Sequence, residues 1–303
     1  MQTIYSIFTE PIQSLLFSLL LVAIYILMYL LLLALVPNET ALIEQLFIIL
    51  FIVVFAQNVV DAFVVLYELI AILQNFFMAI LPIMSFMLLT IQTVFTAIAW
   101  NPIIIIFVQV ILFVSTHVTI PALVLALVFD VCTKIYPAIS FSKAADLIRS
   151  SILSVMIASV VALTSILTLS GIAFIQLNDA LKSPIKKLIE QNIPLIGSLI
   201  VEGLSFFQKT QSTVSTFVGL SFLTIIWGAA FYPATVLLLH ALLFKIIGAV
   251  IEPFTNMRMS GLFDDVGKTM FVLCAVAFLL GFAIMFIVLL FIFFMQMSMG
   301  GKT

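Results

Sequence analysis

The first 133 residues contain no lysine and no arginine; all eleven basic residues lie from Lys134 onward. Charge is scarce throughout. Only 8% of the 303 residues are charged and 65% are hydrophobic, against about 25% charged in an average soluble domain. No exposed basic face can be assembled, which excludes nucleic-acid binding. Two cysteines, Cys132 and Cys274, sit in or beside apolar runs, so there is no disulfide framework and no metal-ligand spacing. Two histidines, no H-E-x-x-H, no nucleophile elbow and no Cys/His cluster leave no hydrolytic or redox constellation. The sequence therefore predicts a non-enzyme with no catalytic, cofactor or metal residues. Gly261–Thr269 reads G-L-F-D-D-V-G-K-T, near in pattern to a phosphate-binding loop. It has five residues between the glycines where the motif needs four, and no strand precedes it. That motif is rejected.

What is abundant is continuous apolar sequence. Runs of 20 to 32 residues point to membrane-spanning helices, since barrel strands would alternate over about 10 residues. The fold class is all-α: a polytopic helical membrane protein with about seven transmembrane segments, plus a re-entrant or interfacial segment near 177–208. No polar stretch is long enough to fold alone, so residues 1–303 form a single membrane domain. Within it, 1–96 supply peripheral helices lacking Lys and Arg, and 102–297 supply the core.

Segment one runs from about Ile12 to Val36; it is too long and too poorly flanked by basic residues for a signal peptide, and is expected to be retained as a transmembrane helix. Segment two (about Leu46–Leu66) and segment three (about Leu69–Thr96, broken at Pro82) are expected to form a tight hairpin at Tyr67-Glu68. Asp61 and Glu68, at i, i+7, then lie either in interfacial water or facing a wet cavity. Segment four, Asn101 to Thr133, is roughly 48 Å long if straight, so it must tilt or break, with Pro121 as the break. His117 nearby is either a relay or gating group or a side chain that hydrogen-bonds a freed carbonyl.

Segment five (about Ser150–Phe174) carries Ser150, Ser154, Ala158 and Ala162 every four residues. Such a small face lets helix backbones approach in lipid, which places this helix in the middle of the bundle. Gln176–Asn192 puts Leu177, Leu181, Ile185, Leu188 and Ile189 on one face and Lys182, Lys186 and Lys187 elsewhere, the pattern of an interfacial helix. Ile193–Phe207 follows. About 15 residues reach only roughly 22 Å, short of the hydrocarbon core. With Pro194, Gly197 and Gly203 at its turns, and Glu202 among large apolar residues, it reads as a segment that enters the membrane without crossing. Segment six (about Ser212–Phe244) has its break at Tyr232-Pro233, with His240 beyond. Lys245–Lys268 reads as an amphipathic connection, and segment seven runs from about Thr269 to Met297.

Ionisable groups at membrane depth are costly and become functional candidates: Glu202 first, then Asp130, His117 and His240. Glu202 is either a pathway group or an interfacial carboxylate. Pro121-Ala122-x-Val124-Leu125-x-Leu127 echoes Pro233-Ala234-x-Val236-Leu237-x-Leu239, either an internal repeat of the kind found in transport folds or a coincidence of common residues. Six basic residues fall on one side and five on the other, so the positive-inside rule does not orient the chain.

Several weak motifs occur in order: I-P-L-I-G-S at Ile193–Ser198, a Ser/Thr-rich stretch reaching Gly219, Tyr232-Pro233 before a leucine run, Ile251-Glu252-Pro253, and Val266-Gly267-Lys268. Together, over roughly residues 75–297, they resemble the stage III sporulation protein AE family; Asp130 and Lys143 to Arg149 are compatible with it. The chain departs from the family pattern at Ser198, where an acidic residue is usual, and in opening on an apolar helix instead of a signal peptide and polar region. It therefore resembles a divergent or N-terminally shortened member. The resemblance implies a non-enzymatic integral subunit of the channel or secretion-like complex joining mother cell and forespore during endospore formation. Its implied partners are the other membrane proteins of the stage III sporulation A-operon complex, including a cytosolic ATPase, and forespore protein Q. Its implied location is the multi-pass cell membrane of the mother cell around the forespore. Two other functions fit the residues: a self-sufficient secondary transporter with a site near Glu202 and the Pro121 and Pro233 breaks, and a membrane assembly scaffold.

Overall fold

The computed structural model describes residues 20–36, 40–90, 102–136, 138–178, 215–254 and 257–300. Among them there are helices and short links and no strand. α1 is Leu20–Leu35. α2 is Thr40–Thr90, α3 is Pro102–Val114, and a π turn at Ser115–Thr119 leads directly into α4, Ile120–Ile135. α5 is Ser142–Asn178, α6 is Ser215–Ile251, and a 3-10 turn at Glu252–Phe254 precedes α7, Met257–Gly300. Among the described residues five helical stretches are long and apolar enough to cross a membrane: Leu42–Ala79, Ile104–Ile135, Ser142–Thr168, Phe231–Ile251 and Arg258–Leu289; α1 is shorter.

This differs from the seven expected spans chiefly because the expected hairpin at Tyr67-Glu68 does not form. α2 is one helix of 51 residues. Its buried positions explain why. Phe47, Phe51, Phe55, Ala62, Leu66, Leu69, Ile70, Leu73 and Phe77 are all buried, a helical series that keeps its phase straight through Tyr67-Glu68. Residues 59–74 hold no Gly, Pro or Asn to open a turn, and the helix also runs through Pro82.

The central helix is α7, which packs against α2, α4, α5 and α6. Over its most apolar stretch 56% of α7 is buried, against 33% for α5. The small-faced helix is therefore not the middle of the bundle. Its small face points outward as well: Ser150, Ser154 and Ala158 are exposed. The opposite, bulkier face carries Arg149, Ile152, Met156, Val160, Leu163 and Leu167 inward. Bulk fills the gap to α7, and Arg149 must be on that side to meet its partners.

Close approach occurs elsewhere, between α6 and α7. A Cβ at Gly267 would lie 2.8 Å from Lys245 Cγ, 3.2 Å from its backbone N and 3.3 Å from Ala241 O; one at Gly248 would lie 3.2 Å from Ser260 O. Much of the expected connection, 245–251 and 257–268, is thus the ends of two closely packed helices. Beside them, Tyr25, Phe47, Phe51, Phe55, Phe244 and Phe263 form an aromatic cluster, with Tyr25 OH donating to Phe47 O and the rings of Phe51 and Phe263 4.5 Å apart.

The α-helix is interrupted at Pro121, as expected, but not at Pro233. At Pro121, which has no N–H, the helix loosens into the π turn: Ile120 N–H bonds back to Ser115 O. Ser115 Oγ donates to Ile111 O (2.7 Å) and Thr116 Oγ1 to Leu112 O (3.0 Å), supplying donors to carbonyls of the distorted stretch. Pro233 lies inside the continuous α6, where Ala234 and Leu237 are buried and Phe231 packs edge-on against Phe278 at 5.0 Å. Packing holds the helix across the lost bond.

Replacing Gly267 with valine should force α6 from α7, because the nearest obstacles include backbone atoms. We expect a loss of about 1–3 kcal/mol, measured as a lower unfolding midpoint of the protein purified in detergent. Gly228→Ala, where a Cβ would meet nothing within 4 Å, should not lower the midpoint, since alanine is the better helix former.

Candidate functional site: an ion-pair knot across four helices

At the end of the bundle where α4 and α6 finish and α5 and α7 begin, charged residues of four helices converge. α4 contributes Asp130 and Lys134, one turn apart. α5 contributes Asp146 and Arg149, α6 contributes Lys245, and α7 contributes Asp264, Asp265, Lys268 and Thr269.

Arg149 is its centre. The residue is 4% exposed, and each guanidinium nitrogen has its own partner. Nε donates to Thr269 Oγ1 at 3.0 Å, and Nη1 to Asp146 Oδ1 at 3.0 Å. Nη2 pairs with Asp130 Oδ2 and also donates to the backbone carbonyl of Asp265 at 3.3 Å. Thr269 Oγ1, accepting from Arg149, donates in turn to Asp265 O at 3.1 Å. Only the planar, five-donor fork of arginine can serve three helices in this way. Asp130 is 3% exposed and Thr269 fully buried, so the Arg149–Asp130 pair lies in a low-dielectric setting where either charge alone would be expensive.

From this buried centre the pairs continue outward. Asp265 Oδ2 takes Lys134 Nζ at 3.1 Å and its Oδ1 takes Lys268 Nζ at 3.0 Å. Lys268 also reaches Asp264 Oδ2 at 2.9 Å, and Lys245 lies 3.7 Å from Asp264 Oδ1. The outer pairs, with side chains 39–43% exposed, contribute little each. Four carboxylates meet four cations, so the knot is neutral. Gly261 makes room for it: a Cβ there would lie 2.5 Å from Lys134 Nζ. The link is closed by Thr133, whose Oγ1 donates to Phe129 O (2.8 Å) and accepts from Phe141 N (2.9 Å).

Of the residues picked from sequence, Asp130 lies in this knot. His117 does not. It is exposed on the π turn, its ring stacked on Phe113 at 4.3 Å and its Nδ1 3.1 Å from Phe113 O. His240 is half-buried on α6 with Nδ1 2.8 Å from Val236 O. In both, the ring nitrogen faces the carbonyl one turn back. Pro121 and Pro233 lie at the positions described above. Glu202, Pro194, Gly197 and Gly203 lie outside the described residues, as does the re-entrant segment beyond Asn178. The phosphate-loop-like stretch Gly261–Thr269 is part of helix α7. Its two aspartates, lysine and threonine hold the knot, and Gly261 and Gly267 sit at close approaches.

Arg149, Lys134 and the α7 residues were missed because they read as polar links. The signal was present: Asp130/Lys134 and Asp264/Lys268 are at i, i+4 and Asp146/Arg149 at i, i+3, the spacings at which helical residues face one another. Among the described residues no group of His, Cys, Asp and Glu is arranged to hold a metal ion.

An all-helical, multi-pass membrane protein whose four principal helices are tied at one end by a neutral polar knot is the class defined here. A family model of stage III sporulation protein AE matches residues 3–296, nearly the full chain, and the chain belongs to that family. It is therefore a sporulation-related membrane protein, of a family not known as one of enzymes. The match takes in the first helices as well as the motifs between residues 193 and 268. No curated protein and no solved structure matches the chain.

Removing one partner of the central pair should be severe, and removing both should not. Arg149→Met leaves Asp130 and Asp146 uncompensated and should cost about 3–5 kcal/mol, whereas Arg149→Met with Asp130→Asn should recover a large part. Arg149→Lys should rescue poorly, since an ammonium cannot reach Thr269, Asp146 and Asp130 together. Unfolding midpoints of the four proteins in detergent check this.

Proposed function

We propose that this protein is a non-enzymatic membrane core subunit of a multi-protein channel or secretion-like complex in the mother-cell membrane around the forespore. The observation that carries the reading is membership of the stage III sporulation protein AE family over residues 3–296. The knot supports it: its four carboxylates and four cations satisfy one another, which suits a rigid frame better than a reaction centre. The partners proposed are the other membrane proteins of the stage III sporulation A-operon complex, a cytosolic ATPase, and forespore protein Q. The whole chain acts as one membrane domain, with 1–96 peripheral to the core.

Tagged protein purified from sporulating cells should bring down the ATPase and the small membrane proteins together, and Arg149→Met should lose them along with heat-resistant spores. Recovery of the tagged protein alone, intact and folded, would overturn the reading.

A self-sufficient transporter is favoured by one observation, the π turn before Pro121, since such turns occur often at functional sites. Purified protein in liposomes that moved a solute, with Glu202→Gln abolishing the movement, would establish that reading in place of the first.

The proposed re-entrant segment has support from the helices on either side of it. α5 leaves the knot at Arg149, and α6 returns to it at Lys245, each 37 residues long. Their other ends, Asn178 and Ser215, are therefore at the same far end of the bundle. Lys182→Cys and Lys209→Cys should be labelled by an impermeant thiol reagent from the same side; labelling from opposite sides would mean that Ile193–Phe207 crosses.

A further inference from the structure

The span Ile104–Ile135 is held in different ways on the two sides of its π turn. α4, the half after the turn, is tied by charge: Asp130 pairs with Arg149 of α5 and Lys134 with Asp265 of α7. α3, the half before it, carries no charged residue. Its bond to α2, from Gln109 Nε2 to Met78 Sδ at 3.5 Å, goes to a weak acceptor. Its inward side chains Ile104, Val108, Ile111 and Leu112 make apolar contacts, which lipid tails can largely replace. Contact with the central helix is incomplete as well. A cavity of about 10 Å³ lies between Val108 and Leu112 of α3, Leu163 of α5, and Leu280 and Ala283 of α7. Its lining is apolar, so it offers water no partners.

The turn between the halves can bend at low cost. Ile120 N–H reaches back five residues to Ser115 O, and the next residue, Pro121, has no N–H to give. In an α or a π register alike, one carbonyl of the turn goes without a backbone donor. The carbonyls just before the turn each have a side-chain nitrogen or hydroxyl in reach. Ser115 Oγ donates to Ile111 O at 2.7 Å, Thr116 Oγ1 donates to Leu112 O at 3.0 Å, and His117 Nδ1 lies 3.1 Å from Phe113 O. Such side-chain partners let backbone bonds lengthen without baring a carbonyl. On the inner side Ser115 Oγ lies 3.7 Å from Met156 Sδ of α5, and an unbranched thioether follows a moving neighbour more readily than a branched side chain.

We infer that α3 is a hinged arm of the bundle: it swings on the turn 115–121, leaving and regaining its seat beside α7, while the knot holds α4 still. The span is then a moving half joined to a fixed half. The end of the bundle away from the knot can open by this device without the helices coming apart. It serves a subunit of an assembly and a self-sufficient transporter alike.

Pulsed electron paramagnetic resonance on the full chain in lipid nanodiscs tests this, with Cys132 and Cys274 replaced by alanine. One spin label is placed at Val155 of α5. The second is placed at Ile106 of α3 or, for comparison, at Val124 of α4; all three positions are exposed. Ile106 is about 14 Å of helix before the turn, so a bend of about 20° moves it by about 5 Å. The expected result is two populations for Ile106–Val155, their distances about 5 Å apart, and one population for Val124–Val155. Pro121→Leu, which restores the N–H and removes the ring, should leave a single Ile106–Val155 population. A single narrow population for Ile106–Val155 with Pro121 in place would overturn the inference. So would two populations that persist in Pro121→Leu, or an equal spread at Val124, which would mean that the bundle loosens as a whole.

Discussion

The fork of Arg149 is the constraint on which the arrangement depends. In a bilayer, helices gain little from burying apolar surface against one another, because lipid is equally apolar. What chooses one arrangement over others is close packing and polar pairing. Arg149 supplies the second, reaching Asp130 on α4, Asp146 on its own helix and Thr269 with the Asp265 carbonyl on α7. No rotation of α5 keeps all of these bonds. The small face of α5 is turned outward for the same reason: the helix can present Arg149 or that face to α7, and the buried charge decides.

Packing supplies the rest through glycine. Gly248 and Gly267 let α6 and α7 approach so closely that backbone atoms of Ser260, Lys245 and Ala241 border the space a side chain would need. The same approach brings Lys245 toward Asp264 and leaves Lys268 between Asp264 and Asp265. Gly261 does for Lys134 what Gly267 does for the helix pair. Packing and pairing are thus one feature, written in the nine residues from Gly261 to Thr269.

The composition and long apolar runs were enough to establish helices in a membrane, and the order of weak motifs pointed to the family. Asp130 was legible as a buried charge, because it stands alone in an apolar run. Its partner was not. Arg149 lies in a stretch whose other charges look like an ordinary polar link, and a distance of nineteen residues carries no periodic signal. The hairpin at Tyr67-Glu68 failed for a related reason. Length and charge suggested a turn, but a charged residue on a helix marks only which face is polar, and the unbroken phase from Phe47 to Phe77 was the better guide. At Pro121 and Pro233 proline was read as a break, whereas a missing donor costs one bond, which a wider turn or firm packing can absorb.

These two corrections bear on function together. Had α2 turned at Glu68, its carboxylates would have sat in interfacial water and required nothing. Because it runs on, Asp61 and Glu68 lie along a span whose other face is packed against α4, α6 and α7. The contrast between the two sets of charges is then physical. Those of the knot are matched within the chain and hold it together. Asp61 and Glu68 stand apart from them, exposed on α2 in a stretch of sequence that holds no lysine or arginine.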